Sequence, residues 1–210
     1  SKQITILISN TIELYPSNKI TYIRVKNPIL DFIKISTLFE IFPEKPSIHP
    51  SVILKNCKIG KNVNIQAGCV LGDEGFGWIK DGKKLVNFPH IKKVIIKDDV
   101  SIGANSTVSR GALENTIIGE GTKIASLVMI GHGVQIGRNN IICAQVNVSG
   151  RTKIGDDCFI GLKACIRDGL TIGDNVTIGM GSLVTKNIPS NVTVMGTPAK
   201  ILLPNPQKGG

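Results

Sequence analysis

From Ile118 to Pro189 an aliphatic residue returns at every sixth position: Ile118, Ile124, Ile130, Ile136, Ile142, Val148, Ile154, Ile160, Ile166, Ile172, Ile178 and Val184. Neither common period accounts for this, because an amphipathic helix buries a residue about every 3.6 positions and a half-buried strand every second one. Gly often follows the aliphatic residue, as at Gly119, Gly131, Gly137, Gly155, Gly161, Gly173 and Gly179. The position four after it is small or aliphatic in most hexads, as at Val134, Val146, Cys158, Ala164 and Val176. Such a hexad is the pattern of a parallel β-helix. Each short strand points one aliphatic side chain into a narrow interior, and Gly, Asn or Asp is expected at the corner, where positive φ is needed. Three edges close a triangular coil, so eighteen residues make one turn and residues eighteen apart share an edge.

The composition suits such a prism. The 210 residues are 41% hydrophobic but only 4% aromatic, which gives a core of Ile, Val, Leu and small side chains. Hexads begin after Ser47 with Ile53, Ile59, Ile65 and Leu71, break, resume at Ile96, Ile102 and Val108, and break again before Ile118. The fold class expected is therefore all-β, a parallel β-helix of about six to seven coils over residues 47–189, interrupted at 72–93 and 109–117. Residues 1–46 lack the hexad. TILI and TYIRV read as short strands around a polar PSNK turn, and the segment after Pro28 carries Phe32, Ile35, Leu38, Phe39 and Phe42 at helical spacing. A small α/β cap is expected there, and a C-terminal tail over 190–210 whose polar, Pro- and Gly-containing end, after VTVMGTPAKIL, is mobile.

Lys and Arg outnumber Asp and Glu by 25 to 15, a formal charge of +10. That balance points to an anionic partner such as a nucleotide, coenzyme A or an acidic carrier protein. Nucleic acid is disfavoured, since no zinc-finger spacing, aromatic RNA-binding pattern or basic helix occurs. No apolar run approaches the roughly 20 residues needed to cross a bilayer, and no basic-then-apolar signal segment opens the sequence. The expectation is a cytoplasmic protein without stable membrane insertion. Cys57, Cys69, Cys143, Cys158 and Cys165 show no paired spacing and read as small core residues in a reducing compartment. A catalytic zinc would want three protein ligands, and His49, His90 and His132 do not recur at ligand spacing, so no metal is expected.

The run GFGWIKDGKKLVNFPHIKKVIIKDDVSIGANSTVSRGALENTIIGEGTKI, continued by IGHGVQIG and VSGRTKIGDDCFIG, resembles the LpxD family. These are bacterial N-acyltransferases of lipid A synthesis that acylate a UDP-linked 3-O-acylglucosamine. The earlier VKNPILDFIKI resembles the end of that family's N-terminal domain, so the likeness runs over about residues 24 to 185. It implies a left-handed β-helix assembled as a homotrimer, with sites between prisms. Three features depart from the family: the N-terminal part is short, Ser109 stands where the family has Asp, and a GTPAK stretch follows the last hexads. That stretch is similar instead to sugar acetyltransferases that use acetyl-CoA.

Acyl transfer to an amine needs a base with pKa near neutrality, and imidazole is the usual choice. His132 follows Ile130 by two within the unbroken hexads, and the resemblance makes it the catalytic histidine. Gly150 lies eighteen residues later, one coil away on the same edge, and the resemblance makes its N–H the oxyanion donor. In the long interruption, Phe76, Gly77, Trp78 and His90 are candidates for binding the acceptor, and the lysines around Lys83 for a diphosphate. Gly196, Pro198, Ala199 and Lys200 would lie along coenzyme A, with Lys200 near its phosphates. The expected activity is transfer of an acetyl group from acetyl-CoA to the amine of a nucleotide-linked amino sugar. The alternative is transfer from an acyl carrier protein, as in lipid A synthesis.

Overall fold

The computed structural model describes residues 4–14, 19–38 and 47–204. The chain divides into two compact units, Ser1–Lys45 and Pro46–Gly210. In the first, strands Ile4–Ser9 and Ile20–Val25 pair in parallel, and an α-helix spans Pro28–Leu38. Asn27 caps that helix, its Oδ1 accepting from the Leu30 N–H at 3.1 Å. Phe32 and Ile35 are exposed. Phe39, Phe42 and most of the PSNK turn lie outside the described residues.

The second unit is a parallel β-helix with three faces. On the first, Ile65, Ile102, Ile124, Ile142, Ile160, Ile178 and Val194 stack in register. On the second, the ladder is Leu54, Leu71, Val108, Ile130, Val148, Ile166 and Val184. On the third it is Ile59, Ile96, Ile118, Ile136, Ile154 and Ile172, closed by Ile188. All twelve hexad residues from Ile118 to Val184 are at most 4% exposed. One aliphatic column per face, with the small or aliphatic residues four positions on such as Val134, Val146, Ala164 and Val176, fills the interior, which is why the core needs no aromatic residue. Where a polar side chain enters, it is paired: the Asn140 amide donates to the Gly155 carbonyl at 2.9 Å and accepts from the Cys158 N–H at 2.8 Å.

The corners differ from the sequence expectation. Positive φ falls on the third residue after the aliphatic one, at Gly121, Leu127, Gly133, Asn139, Gln145, Arg151, Asp157, Lys163, Gly169, Asn175 and Gly181. The glycines that directly follow the aliphatic residue serve close approach instead. A Cβ on Gly119 would overlap the Gly137 carbonyl oxygen of the next coil.

Both interruptions leave the prism at one corner, between the second and third faces. The first runs between strands Val70–Asp73 and Val94–Ile96 and carries an antiparallel hairpin of Trp78–Asp81 with Lys84–Asn87. The second lies between Thr107–Ser109 and Thr116–Ile118. Each is shorter than the sequence suggested because the flanking strands run further than the aliphatic position alone.

The first part of the 190–210 tail is ordered, and the polar end expected to be mobile lies mostly outside the described residues. Val192–Gly196 joins the first face, and Ala199–Pro204 pairs back on it antiparallel. Buried Val194 continues the ladder over Ile178, so the end of the prism is closed by a hairpin.

Candidate active site

The second-to-third corner carries more than the interruptions. His132 follows the second-face strand Met129–Ile130, and Gly150 follows Asn147–Val148 one coil on. The eighteen-residue register thus brings the two together, and Arg151 N–H donates to the His132 carbonyl at 2.8 Å. A Cβ on Gly150 would stand 2.6 Å from His132 Nε2, so only glycine lets the ring lie against the backbone there. The Gly150 N–H has no hydrogen-bond partner among the described residues.

A cavity of about 640 Å³ opens at this corner. Phe76, Gly77, Trp78, Phe88 and His90 come to it from the first interruption, Leu113 and Glu114 from the second, and His132, Arg151 and Lys153 from the prism. Phe76 is 87% exposed and Trp78 52%, so the aromatics stand at the mouth and do not anchor the loop. His90 sits deep, 2% exposed, with its ring centroid 4.8 Å from that of His132 and the planes at 74°. Arg110 of the RGAL run ties the second interruption to the first, Nε donating to the His90 carbonyl at 2.5 Å and Nη1 to the Gly72 carbonyl at 3.2 Å.

Burial holds the His132 imidazole below its ordinary value; His90 and Arg151 depress it further, and Asp168 opposes them. Its ring is therefore neutral near pH 7, the form that accepts a proton. Arg151 is paired with Asp168 at 2.8 Å on the cavity rim.

His132, Gly150, Phe76, Gly77, Trp78 and His90 are thus gathered at one place. Gly196, Pro198, Ala199 and Lys200 are not. Their turn packs at the corner between the first and second faces, where Gly196 N–H donates to Ser182 Oγ at 3.3 Å and Thr197 Oγ1 to the Gly181 carbonyl at 3.3 Å. Arg151, Glu74 and Arg110 escaped the sequence reading. Arg151 follows Gly150 directly and could have been found with the eighteen-residue rule, whereas Glu74 and Arg110 lie in interruptions that have no register.

Residues 115–150 match the bacterial transferase hexapeptide (six repeats), and residues 151–186 the hexapeptide repeat of succinyl-transferase. The chain is 42% identical over 144 residues to a UDP-3-O-acylglucosamine N-acyltransferase of Caulobacter sp. (strain K31), covering 69% of this chain and 42% of that protein. A protein of the same name from Methylobacterium nodulans is 44% identical over 142 residues, covering 68% and 40%. A crystal structure of a UDP-N-acetylglucosamine acyltransferase superposes with a TM-score of 0.67 at 27% identity, over 76% of this chain and 60% of the other. The chain spans about two fifths of the length of these curated relatives. Their names overturn the expected acetyl-CoA-dependent N-acetyltransferase in favour of the alternative. The Gly196–Lys200 turn on which that expectation leaned stands at another corner, away from His132.

Proposed function

We propose, from the premise that this chain is LpxD-like in its hexapeptide repeats, that it moves an acyl group from an acyl carrier protein thioester to the amine of a UDP-linked 3-O-acylglucosamine. The observation that carries this reading is His132 Nε2 lying against Gly150, whose N–H is free, on the wall of the cavity. The amine nitrogen attacks the thioester carbon while His132 takes its proton. The tetrahedral oxyanion accepts the Gly150 N–H, the C–S bond breaks, and the departing thiolate takes the proton back from His132. Phe76, Gly77 and Trp78 form the acceptor side of the cavity, and Arg151 and Lys153 supply positive charge for a diphosphate. The excess of basic residues suits an acidic carrier. The protein works as a homotrimer, in keeping with the outward-facing Ile141 and Phe159 on the first face, 48% and 43% exposed.

The test is mass spectrometry of products from long-chain acyl carrier protein and UDP-3-O-acylglucosamine, with salt varied. An N-acylated product, formed more slowly as salt rises, is expected. No product over a range of chain lengths overturns the reading, and a monomer in sedimentation overturns the trimer.

A further inference from the structure

Both ring nitrogens of His90 are buried without a hydrogen-bond partner, and no other buried side-chain nitrogen or oxygen among the described residues is left so. An arrangement of this kind is unfavourable for folding alone, and a Phe or Leu would fill the same space without stranding polar atoms. The neighbourhood is nevertheless built around the imidazole. Gly75 lies over it with no room for a side chain and Gly77 lies close: a Cβ on Gly75 would be 2.6 Å from His90 Nε2 and 2.7 Å from His132 Cβ, and one on Gly77 3.1 Å from His90 Cε1. Glu74 Oε1 stands 4.0 Å from His90 Nδ1, accepts the His90 backbone N–H at 3.3 Å, and lies 3.7 Å from Arg110 Nη2. The GFG and RGAL runs therefore converge on a ring that is almost wholly buried and has no polar partner but does touch His132.

We infer that His90 is a positioning residue for His132: its buried ring, clasped by the Gly75–Gly77 backbone and Glu74, limits the rotation of His132 and keeps Nε2 against Gly150. This rests on the role given to His132 under the proposed function. A second consequence is electrostatic. His132 faces His90, Arg151 and Asp168, and His90 faces Glu74 and Arg110. The charge that His90 carries when protonated opposes protonation of His132. Removing it raises the pH at which His132 takes a proton. Since the base acts in its neutral form, the acid limb of kcat must move up by the same amount.

The test pairs His90→Phe, which keeps a flat ring, with His90→Gln, which keeps a polar group. The readouts are a histidine NMR titration of His132, kcat and KM, and the thermal midpoint. In His90→Phe the midpoint holds or rises, the His132 titration and the acid limb move together to higher pH, and kcat falls by less than in His90→Gln, with KM within about twofold. His90→Gln loses the ring contact, and its kcat falls about tenfold or more. Should His90→Phe fail to fold, His90→Gln carries the same readouts. An unmoved His132 titration with kcat within about twofold of wild type in the folded variants would show His90 to be packing only. Absence of acyl transfer by the wild type would instead defeat the proposed function, and the titration would still decide the imidazole pair.

Discussion

His132 is one polar side chain on a prism whose interior is mainly aliphatic, and its environment decides what it can do. His132→Ala should fold normally and lose acyl transfer by about two to four orders of magnitude, read as kcat under saturating substrates. Retention of more than a tenth of wild-type turnover would assign the base elsewhere. Because its proton affinity is depressed below the ordinary 6.5, the acid limb of kcat should lie below that pH. Linkage has the matching sign: the unfolded chain binds the proton more readily, so stability present above 6.5 declines as the pH falls beneath it. Cys158 offers a second check, since burial pushes its thiol up to about 11. Iodoacetamide at mildly alkaline pH should label the half-buried Cys143 and Cys165 and spare Cys158 in the native protein. The pairing of His132 with Gly150 was legible from spacing, since both stand in unbroken hexads. The contact with His90 was not, because a residue inside an interruption has no register from which to compute its neighbours.

A coil of the prism asks for two kinds of special residue, and the sequence alone blurs them. Gly follows the aliphatic position to let coils approach, whereas the left-handed residue comes two positions later and is Leu, Gln, Lys or Arg in several coils. Hexad statistics favour the conspicuous glycine, and the corner that holds a Leu is invisible without the backbone. Gly119→Ala should therefore cost about 3 kcal/mol by driving Cβ into the Gly137 carbonyl. Gly181→Ala, with open space but a φ of 66°, should cost only about 1 kcal/mol. At Leu127, with φ 61° and the side chain half exposed, Leu127→Asn should stabilise by about 0.5 to 1 kcal/mol. Thermal or denaturant unfolding of the three variants distinguishes these effects, and equal costs for the two glycines would refute the division of labour.

At the scale of the molecule, each coil touches only the coils above and below it, so stability is a sum of neighbouring interfaces. Hydrogen exchange should be slowest for amides on the strands from Ile118 to Ile178 and faster toward both ends of the prism. Uniform protection would mean a single cooperative unit. The β-helix, its three faces and the place of its breaks could be read from periodicity because burial repeats every sixth residue without exception over the central coils. The closing hairpin could not, since the hexad positions after Val184 fall on Ser190 and Gly196, and the residue that stacks on Ile178 is Val194, sixteen residues later instead of eighteen. Nor could the donor be chosen from the GTPAK stretch, because a short motif carries no information on which corner it will occupy.

Both interruptions leave and rejoin at the corner that holds His132, and this sets where the chain tolerates change in length. Between Ile118 and Val184 the loss of a single residue would act like a frameshift: every later Ile would rotate off the axis and a polar neighbour would take its place. Only whole coils can be gained or lost there. The corner of the cavity is the exception, since loops of unequal length already depart from it without disturbing the register. Selectivity for the acceptor can thus be rewritten by lengthening or trimming those loops, while the base and its glycine stay where the repeat has put them.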